Sequence, residues 1–508
     1  AGDFAVAGAP GDSGMTGAAY VLPVSAETKE FFETDKLTAS DGTTNDQLGV
    51  SVAVAGDVAV VGAPGNDDAG SSSGSAYVFE RDADGTNAWG QTRKLIASDA
   101  AAGDGFGIAV GVAGDAAVVG AWQGQAGVGK AYVFERNAGG INTWGEVAGL
   151  TASDGISGDF FGAAVAVAGD VALVGAPDTD GNHGGAAYVF ERNADGTNAW
   201  GQAHKLVAPD GENYDAFGNS VAVAGDVAIV GAPAWTIVSR LGAAYLFERN
   251  VNGTNAWGLV RKLTAPDGLN EDEFGWSVAV AGDVAVVGAP TADPGGVNKA
   301  GAAYLFERNA GGTNAWGSVR KLTAWDAAAD DRFGASVSVA GDVAVVGAHW
   351  DDDAGLDSGS IYVFQRNAGG TNAWGLVRKL IASDAAPGDK FGRVAVAGDV
   401  IVVGAPEDDD AGDFSGSAYV FEELFPDPEP PVIDRMEWAG AGIRLAWPSA
   451  FPVDYTVQFK DQMQDGLTWS NLPDAVDLPG TDALLWATNA PGALRRFYRV
   501  QAADSPLR

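Results

Sequence analysis

Carboxylates dominate the side chains of this sequence that could do chemistry. Sixty-seven Asp and Glu stand against 30 Lys and Arg, three His and no Cys, for a formal charge of −37. The absence of cysteine removes disulfides, thiolate metal sites and cysteine nucleophiles. A zinc site or a histidine-based triad would have to gather nearly all of His183, His204 and His349 in one place. What remains is carboxylate chemistry: cation binding, acid–base work by two differently tuned acids, or acceptance of backbone N–H bonds within loops. A polyanion of this size repels nucleic acid and anionic membrane surfaces, so neither is expected as a partner. Solubility is the plainest reason for the charge, and no apolar run approaches a membrane span.

The acids fall into patterns. An Asp follows a Gly at 57, 115, 170, 226, 283, 342 and 399, which reads as a turn residue. Asp pairs five residues apart recur at 41/46, 99/104, 154/159, 210/215, 267/272, 326/331 and 384/389, the second Asp always two positions before an aromatic- or Leu-Gly pair. Seven recurrences at constant spacing mean a constant loop shape, with both carboxylates expected to accept backbone N–H bonds or, alternatively, to share a cation. Less regular acidic loops offer metal candidates: Asn66 with Asp67 and Asp68, Asp351 with Asp352 and Asp353, and Asp408 with Asp409 and Asp410. Asp178, Asp180 and Asn182 place oxygen ligands at alternate positions, like the start of a calcium loop, but no bidentate Glu follows. Ca²⁺ is thus an ion the chain could carry and does not require; no cofactor is expected to be essential.

These loops are positioned by a repeat. GDVAVVGAP at 56–64 returns with small changes at 114–122, 169–177, 225–233, 282–290, 341–349 and 398–406, with a partial copy at 2–10. The Gly of each Gly-Ala pair recurs every 54 to 59 residues. Each unit reads as four strands: one after the Phe-Gly pair, the GDVAVVGAP phrase, GAAYVFER or a relative, and RKLTASD or a relative reached through a DGTNAWG-type turn. Val and Ala trade places along the first two strands with little polar alternation, as expected for sheets buried on both faces. Four antiparallel strands per unit predict an all-β fold, a seven-bladed β-propeller, with eight blades as the alternative count.

Phe-Gly followed about 14 residues later by Gly-Ala-Pro resembles the FG-GAP repeats of integrin α-chain propellers and of bacterial surface proteins. The resemblance implies seven blades and closure by an N-terminal strand. Lys36 to Ser40 is a fourth strand without a blade, and the last repeat, 391–422, lacks a fourth, so 36–40 is expected to pair with 416–422. It also implies ligand binding on the rim formed by the loops between strands two and three and between blades. The family's calcium loop between strands one and two is only Ala-Gly-Asp here, too short to wrap an ion.

The expected organisation is a surplus hairpin at 1–35, the propeller at 36–424, a Pro-rich linker at 425–431 and a β-sandwich at 432–508. The strand-like runs 443–447, 455–459, 484–488 and 496–500 of the tail resemble fibronectin-III modules that close bacterial extracellular proteins.

In a ring of near-identical blades, departures from the repeat are the informative places. Trp122 with Gln123, Trp235 with Arg240, and His349 with Trp350 break pattern on the ligand rim and are candidate ligand-binding residues. The tryptophans at 89, 144, 200, 257, 316 and 374 lie on the other rim and read as structural. The expected function is a non-enzymatic, extracellular or cell-surface binding or adhesion protein, of bacterial type, with a protein or glycan ligand. The alternative is a structural subunit of a surface layer or filament, self-assembling through the edges of 1–24. A carboxylate-based polysaccharide-active enzyme is the third reading.

Overall fold

The structure, a computed structural model, describes residues 31–423 except 87, 179–183, 198, 235–240 and 252, and gives backbone only for the strands outside that span. Two compact units divide the chain, Ala1–Glu423 and Leu424–Arg508.

The first unit contains a seven-bladed β-propeller. Six blades are four-stranded antiparallel sheets in chain order, spanning 51–95, 106–150, 164–206, 220–263, 278–322 and 336–380. Each is built as in blade four: Ser220–Ala224, Val227–Ala232, Ala243–Arg249 and Trp257–Leu263, innermost to outermost. The second strand of every blade is buried at all six positions, because Val and Ala face a neighbouring blade on both sides.

Blade seven takes three strands from 393–423 and its fourth from the start of the chain. Phe31–Leu37 runs antiparallel to Ser417–Glu423, with Phe31 opposite Glu423 and Leu37 opposite Ala418. The closing strand is therefore displaced from the expected 36–40, and residues 31–35 belong to the propeller. The reason lies in the register: Phe31 opposes Glu423 as Trp89 opposes Arg81, so Phe31 fills the position of the repeated tryptophan. The chain turns away after Leu37, as it does after Leu95. Blades number seven, not eight, since among the described residues Phe4–Ala9 and Ala18–Pro23 pair with each other alone, in a separate two-stranded sheet.

The core is a ring of seven apolar clusters, each shared by two adjacent blades. The Phe of the Phe-Gly pair anchors six of them, meeting the third-strand Tyr and Phe edge-on, as Phe274 meets Tyr304 and Phe306 at 5.5 and 6.1 Å. The neighbouring glycines set the spacing. A Cβ on the Gly-Ala glycine of any blade would lie 1.9 to 2.0 Å from the carbonyl oxygen of the Phe-Gly or Leu-Gly glycine of the next, from Gly62 against Gly107 round to Gly404 against Gly49.

In the second unit Arg435–Ala439, Gly442–Pro448 and Leu484–Asn489 form one antiparallel sheet. Asp454–Lys460 pairs with Ser470–Asn471, Leu478–Pro479 and Phe497–Ala502 in another.

If 31–37 closes the ring, deleting residues 1–30 leaves the melting temperature of the propeller unchanged. Deleting 1–37 bares the Ser417–Glu423 edge and lowers it, with earlier aggregation; circular dichroism melts compare the two.

Candidate functional site

The recurrent Asp pairs divide into two roles. The second carboxylate folds back on its own loop, accepting the backbone N–H three residues earlier, as from Thr43 to Asp46 at 2.9 Å and from Leu269 to Asp272 at 2.7 Å. The same bond recurs at Asp104, Asp159, Asp215, Asp331 and Asp389. The first carboxylate is held instead by a tyrosine and a lysine. Tyr188 and Lys205 donate to Asp154 at 2.9 and 2.6 Å, Tyr245 and Lys262 to Asp210 at 2.9 and 2.7 Å, and Tyr304 and Lys321 to Asp267 at 2.9 and 2.7 Å. The tyrosine comes from the third strand and the lysine from the fourth, so each blade ties down the loop that leads into it. In blade two Gly149 replaces that lysine, and Lys130 on the third strand reaches Asp99 in its stead. The expectation that both carboxylates serve backbone N–H groups thus holds for one of each pair.

Electrostatics follow this division. Lysine is the leading cause that holds Asp99, Asp154 and Asp210 below the ordinary carboxylate value. At Asp41, Asp267, Asp326 and Asp384 burial pushes upward, and the lysine and tyrosine together outweigh it. Burial also pushes the Tyr245 hydroxyl up to about 12, with Lys262 opposing and Asp210 adding. Asp272, Asp331 and Asp389, with no lysine in contact, are raised by burial.

Two of the acidic loops bring three carboxylates together. Asp326, Asp351 and Asp353 form one group, and Asp384, Asp408 and Asp410 the other. Each surrounds an ammonium. Lys379 Nζ lies 2.8 Å from both Asp326 and Asp351 and also bonds Asp353. Lys36 lies 2.7 Å from Asp384 and 2.9 Å from Asp408 and bonds Asp410. Lys94 does the same between Asp41 and Asp68, beside Asn66. The middle residues Asp67, Asp352 and Asp409 accept a backbone N–H five residues on. These donor sets are matched to an ammonium, and a calcium ion would have to displace a lysine. Of the third acidic group, Asp178 is described and Asp180 and Asn182 lie outside the described residues.

The departures from the repeat have separate fates. Trp122 is half-buried, tilted on Phe160 at 5.4 Å between ring centroids, with Gln123 exposed beside it. Trp235 and Arg240 lie outside the described residues. His349 and Trp350 are brought into a cluster that sequence reading did not assemble. The Arg332 guanidinium stacks 3.8 Å from the centre of the Trp350 ring, and Trp350 meets His349 edge-on at 5.8 Å. Burial, followed by the cations Arg393, Arg332 and Lys390, holds the His349 imidazole well below its ordinary pKa. Trp325 was also missed: it stands where other exit loops carry Ser or Pro and is 73% exposed. The signal for these residues was present as substitutions within the repeat, at Trp325 for Ser and Arg393 for Ser.

On the opposite rim the repeated tryptophans are structural. In blades one to six the Arg, joined in most of them by the Trp or Asn, clamps the third-strand Glu of the preceding blade: Arg136 and Trp144 both lie 3.1 Å from Glu80, and Arg249 lies 2.7 Å from Glu191. The short Ala-Gly-Asp turns lie beside the same arginines, as Asp283 does to Arg308 at 2.9 Å.

Seven stretches of the chain match the FG-GAP repeat family: 31–79, 89–134, 144–190, 200–247, 257–306, 316–364 and 374–421. Each opens on the fourth strand of one blade and ends on the third of the next, the offset by which 31–37 closes the ring. No curated protein matches the chain. Among solved structures it is similar to the crystal structure of Sqt1 from Chaetomium thermophilum, at 15% identity and a TM-score of 0.41, over 80% of this chain and 95% of that one.

Lys379→Met strands the buried Asp351 carboxylate and should destabilise the propeller by about 3 kcal/mol. Lys262→Met, which breaks a largely solvated pair, should cost under about 1 kcal/mol; chemical denaturation of both variants checks the contrast. Added Ca²⁺ should leave the wild-type melting temperature unchanged, as read by calorimetry with and without chelator. The lowered Asp residues contribute stability that is present above about pH 4 and lost as pH falls through their depressed folded values. Asp272, Asp331 and Asp389 act with the opposite sign, favouring the fold more once protonated. Because the lowered group is larger, acid melts should show the midpoint dropping below about pH 4.

Proposed function

We propose that this chain, which belongs to the FG-GAP repeat family, is a non-catalytic binding or adhesion protein acting outside the cell, on a bacterial surface. Its ligand, a glycan or a protein, meets the rim of the 2–3 and between-blade loops. The observation that carries this reading is the distribution of exceptions. The repeated carboxylates are engaged by lysine, tyrosine or backbone, and so serve the ring. Five of the described aromatic and cationic residues that break the repeat, Trp122, Trp325, Arg332, His349 and Trp350, belong to loops of this one rim. Aromatic rings beside cations, on loops held by a rigid sheet, suit recognition. An acid–base pair would need two carboxylates in different environments, free to meet a substrate. Ca²⁺ has no part in the proposal, since lysines fill the acidic clusters. No helix among the described residues is long and apolar enough to cross a membrane.

The tail supports a spacer or attachment role, its two antiparallel sheets being consistent with a fibronectin-III-like module. A second reading, assembly into a layer or filament, is favoured by one observation. The sheet of Phe4–Ala9 and Ala18–Pro23 has no further strand on either edge among the described residues, which suits addition to another copy.

A glycan array probed with wild type, Trp325→Ala, Trp350→Ala and Ile141→Ala tests the rim. Ile141 is 94% exposed on the opposite rim. The expected result is a bound glycan class, weakened roughly tenfold by either tryptophan variant and unaffected by Ile141→Ala. Binding that survives both tryptophan changes but is lost with Ile141→Ala, or turnover of the bound glycan, would reject the proposal.

A further inference from the structure

The starts of the seven innermost strands line an open axial cavity, the channel mouth, of about 260 Å³. Val, Ala, Ile and Ser supply most of its lining, whose exposed surface is mainly polar, and Asn219 and Trp276 join it from blades four and five. Among the described residues that line it, Arg393 of blade seven carries the only charge.

Arg393 is there because blade seven breaks the repeat twice. Two residues separate Phe-Gly from Val-Ala-Val in blade four, Asn219 and Ser220, whereas a single residue, Arg393, does so in blade seven. The register puts Arg393 opposite Gly404, as Ser336 is opposite Gly347, so arginine takes the place of a serine and the residue before it is missing. The shortening alters the backbone: Gly392 has φ +153°, whereas the corresponding glycines of the other blades lie between +93° and +97°. It also draws His349 in, since a Cβ on Gly392 would lie 3.1 Å from the His349 backbone N, Cα and Cβ.

The resulting cluster is cationic within a protein of charge −37. Lys390 is paired with Glu407 at 2.6 Å, and Arg332 is stacked on Trp350. Glu273 acts on Arg332 from the neighbouring loop. Arg393 forms no hydrogen bond or ion pair among the described residues, Glu407 acting on it only at longer range, and its Nε is buried without a partner, as are the Nε of several rim arginines and His349 Nδ1. Six blades complete the ring without an arginine at this position, so closure does not require one. Leaving a guanidinium unpaired there is unfavourable unless an anion joins it.

Size and charge narrow the anion. The channel admits about one sugar ring, and the protein's own charge opposes polyanions such as phosphate or sulfate chains. A guanidinium pairs a planar carboxylate bidentately, and Trp276, two blades away round the same lining, offers an apolar face for a ring. The geometry points to a binding site for a carboxylated sugar residue, a uronate, at the axial channel, with Arg393 taking the carboxylate and Trp276 contacting the ring. The inference deepens the reading of this protein as a binding module and places a defined subsite at its axis, separate from Trp325 on the rim.

The test uses the whole chain and sodium glucuronate, with glucose and sodium acetate as controls. With only three histidines in the chain, the His349 resonance can be assigned by its loss in His349→Gln and followed by NMR, alongside thermal melts. Glucuronate should shift that resonance saturably and raise the melting temperature, while glucose and acetate at equal concentration do neither. Arg393→Ser restores the residue used by other blades; it should fold and show the glucuronate effect weakened roughly tenfold or more. No response to glucuronate, or an equal response in Arg393→Ser, would overturn the site. An equal response to acetate would overturn the sugar assignment, and an equal response to glucose the carboxylate. Absence of any array binding by the wild type with an intact glucuronate response would count against the rim reading alone, and the reverse against this one alone.

Discussion

The propeller depends on seven places where backbone meets backbone with no side chain between. The Gly-Ala glycine of each blade sits against the carbonyl of the Phe-Gly or Leu-Gly glycine of the next, so closely that a methyl group cannot be inserted. The pair of motifs that defines the repeat is therefore the two halves of one inter-blade contact. Glycine at the first position provides room. At the second it also provides the left-handed backbone, φ +97° at Gly49, that turns the chain from the rim into the innermost strand. With the spacing set there, the Phe beside the second glycine can wedge between sheets and the Val-Ala strands can bury both faces.

Around this axis each blade is tied at both rims. On one rim Tyr and Lys hold the incoming loop by its first Asp, and on the other Arg and Trp clamp the preceding blade's Glu. The seam shows how far these ties can be exchanged. Where blade seven meets blade six, the Glu is Gln365, the Arg is Glu423 and the Trp is Phe31. An acid facing an acid would repel, and the neutral amide at 365 avoids it. Arg378 of blade six stacks 4.7 Å from the Phe32 ring across this seam, while the bond from Ser383 to Glu33 at 2.9 Å is one the ordinary junctions also make, as Ser98 does with Glu146. The seam thus keeps its geometry while losing the charge pattern of the other six junctions.

The fold was legible because the chain aligns with itself; strand number, blade number and closure all follow from counting units. The start of the closing strand was not, since Phe31 shares no motif with the tryptophan whose position it fills. The roles of the recurring Asp residues were half legible. Local spacing revealed the loop, but Tyr188 and Lys205 lie 34 and 51 residues from Asp154, and such partners are invisible to a motif confined to the loop. The exchange of Gly149 for Lys130 in blade two could have shown the pairing, because a lysine lost at one position returns at another. The axial arginine was hidden differently: a one-residue deletion after Phe-Gly looks like noise until the register shows which position has vanished.

A closed ring requires blade seven to touch blade one, and the glycine contact offers a direct measure. Gly404 has Gly49 as its neighbour only if the ring is closed, whereas Gly231 meets Gly275 of the next blade in a closed ring and an open row alike. Thermal melts of Gly404→Ala and Gly231→Ala should show both variants clearly destabilised, by similar amounts. If Gly231→Ala is destabilised while Gly404→Ala melts like the wild type, blade seven has no neighbour and the ring is not closed.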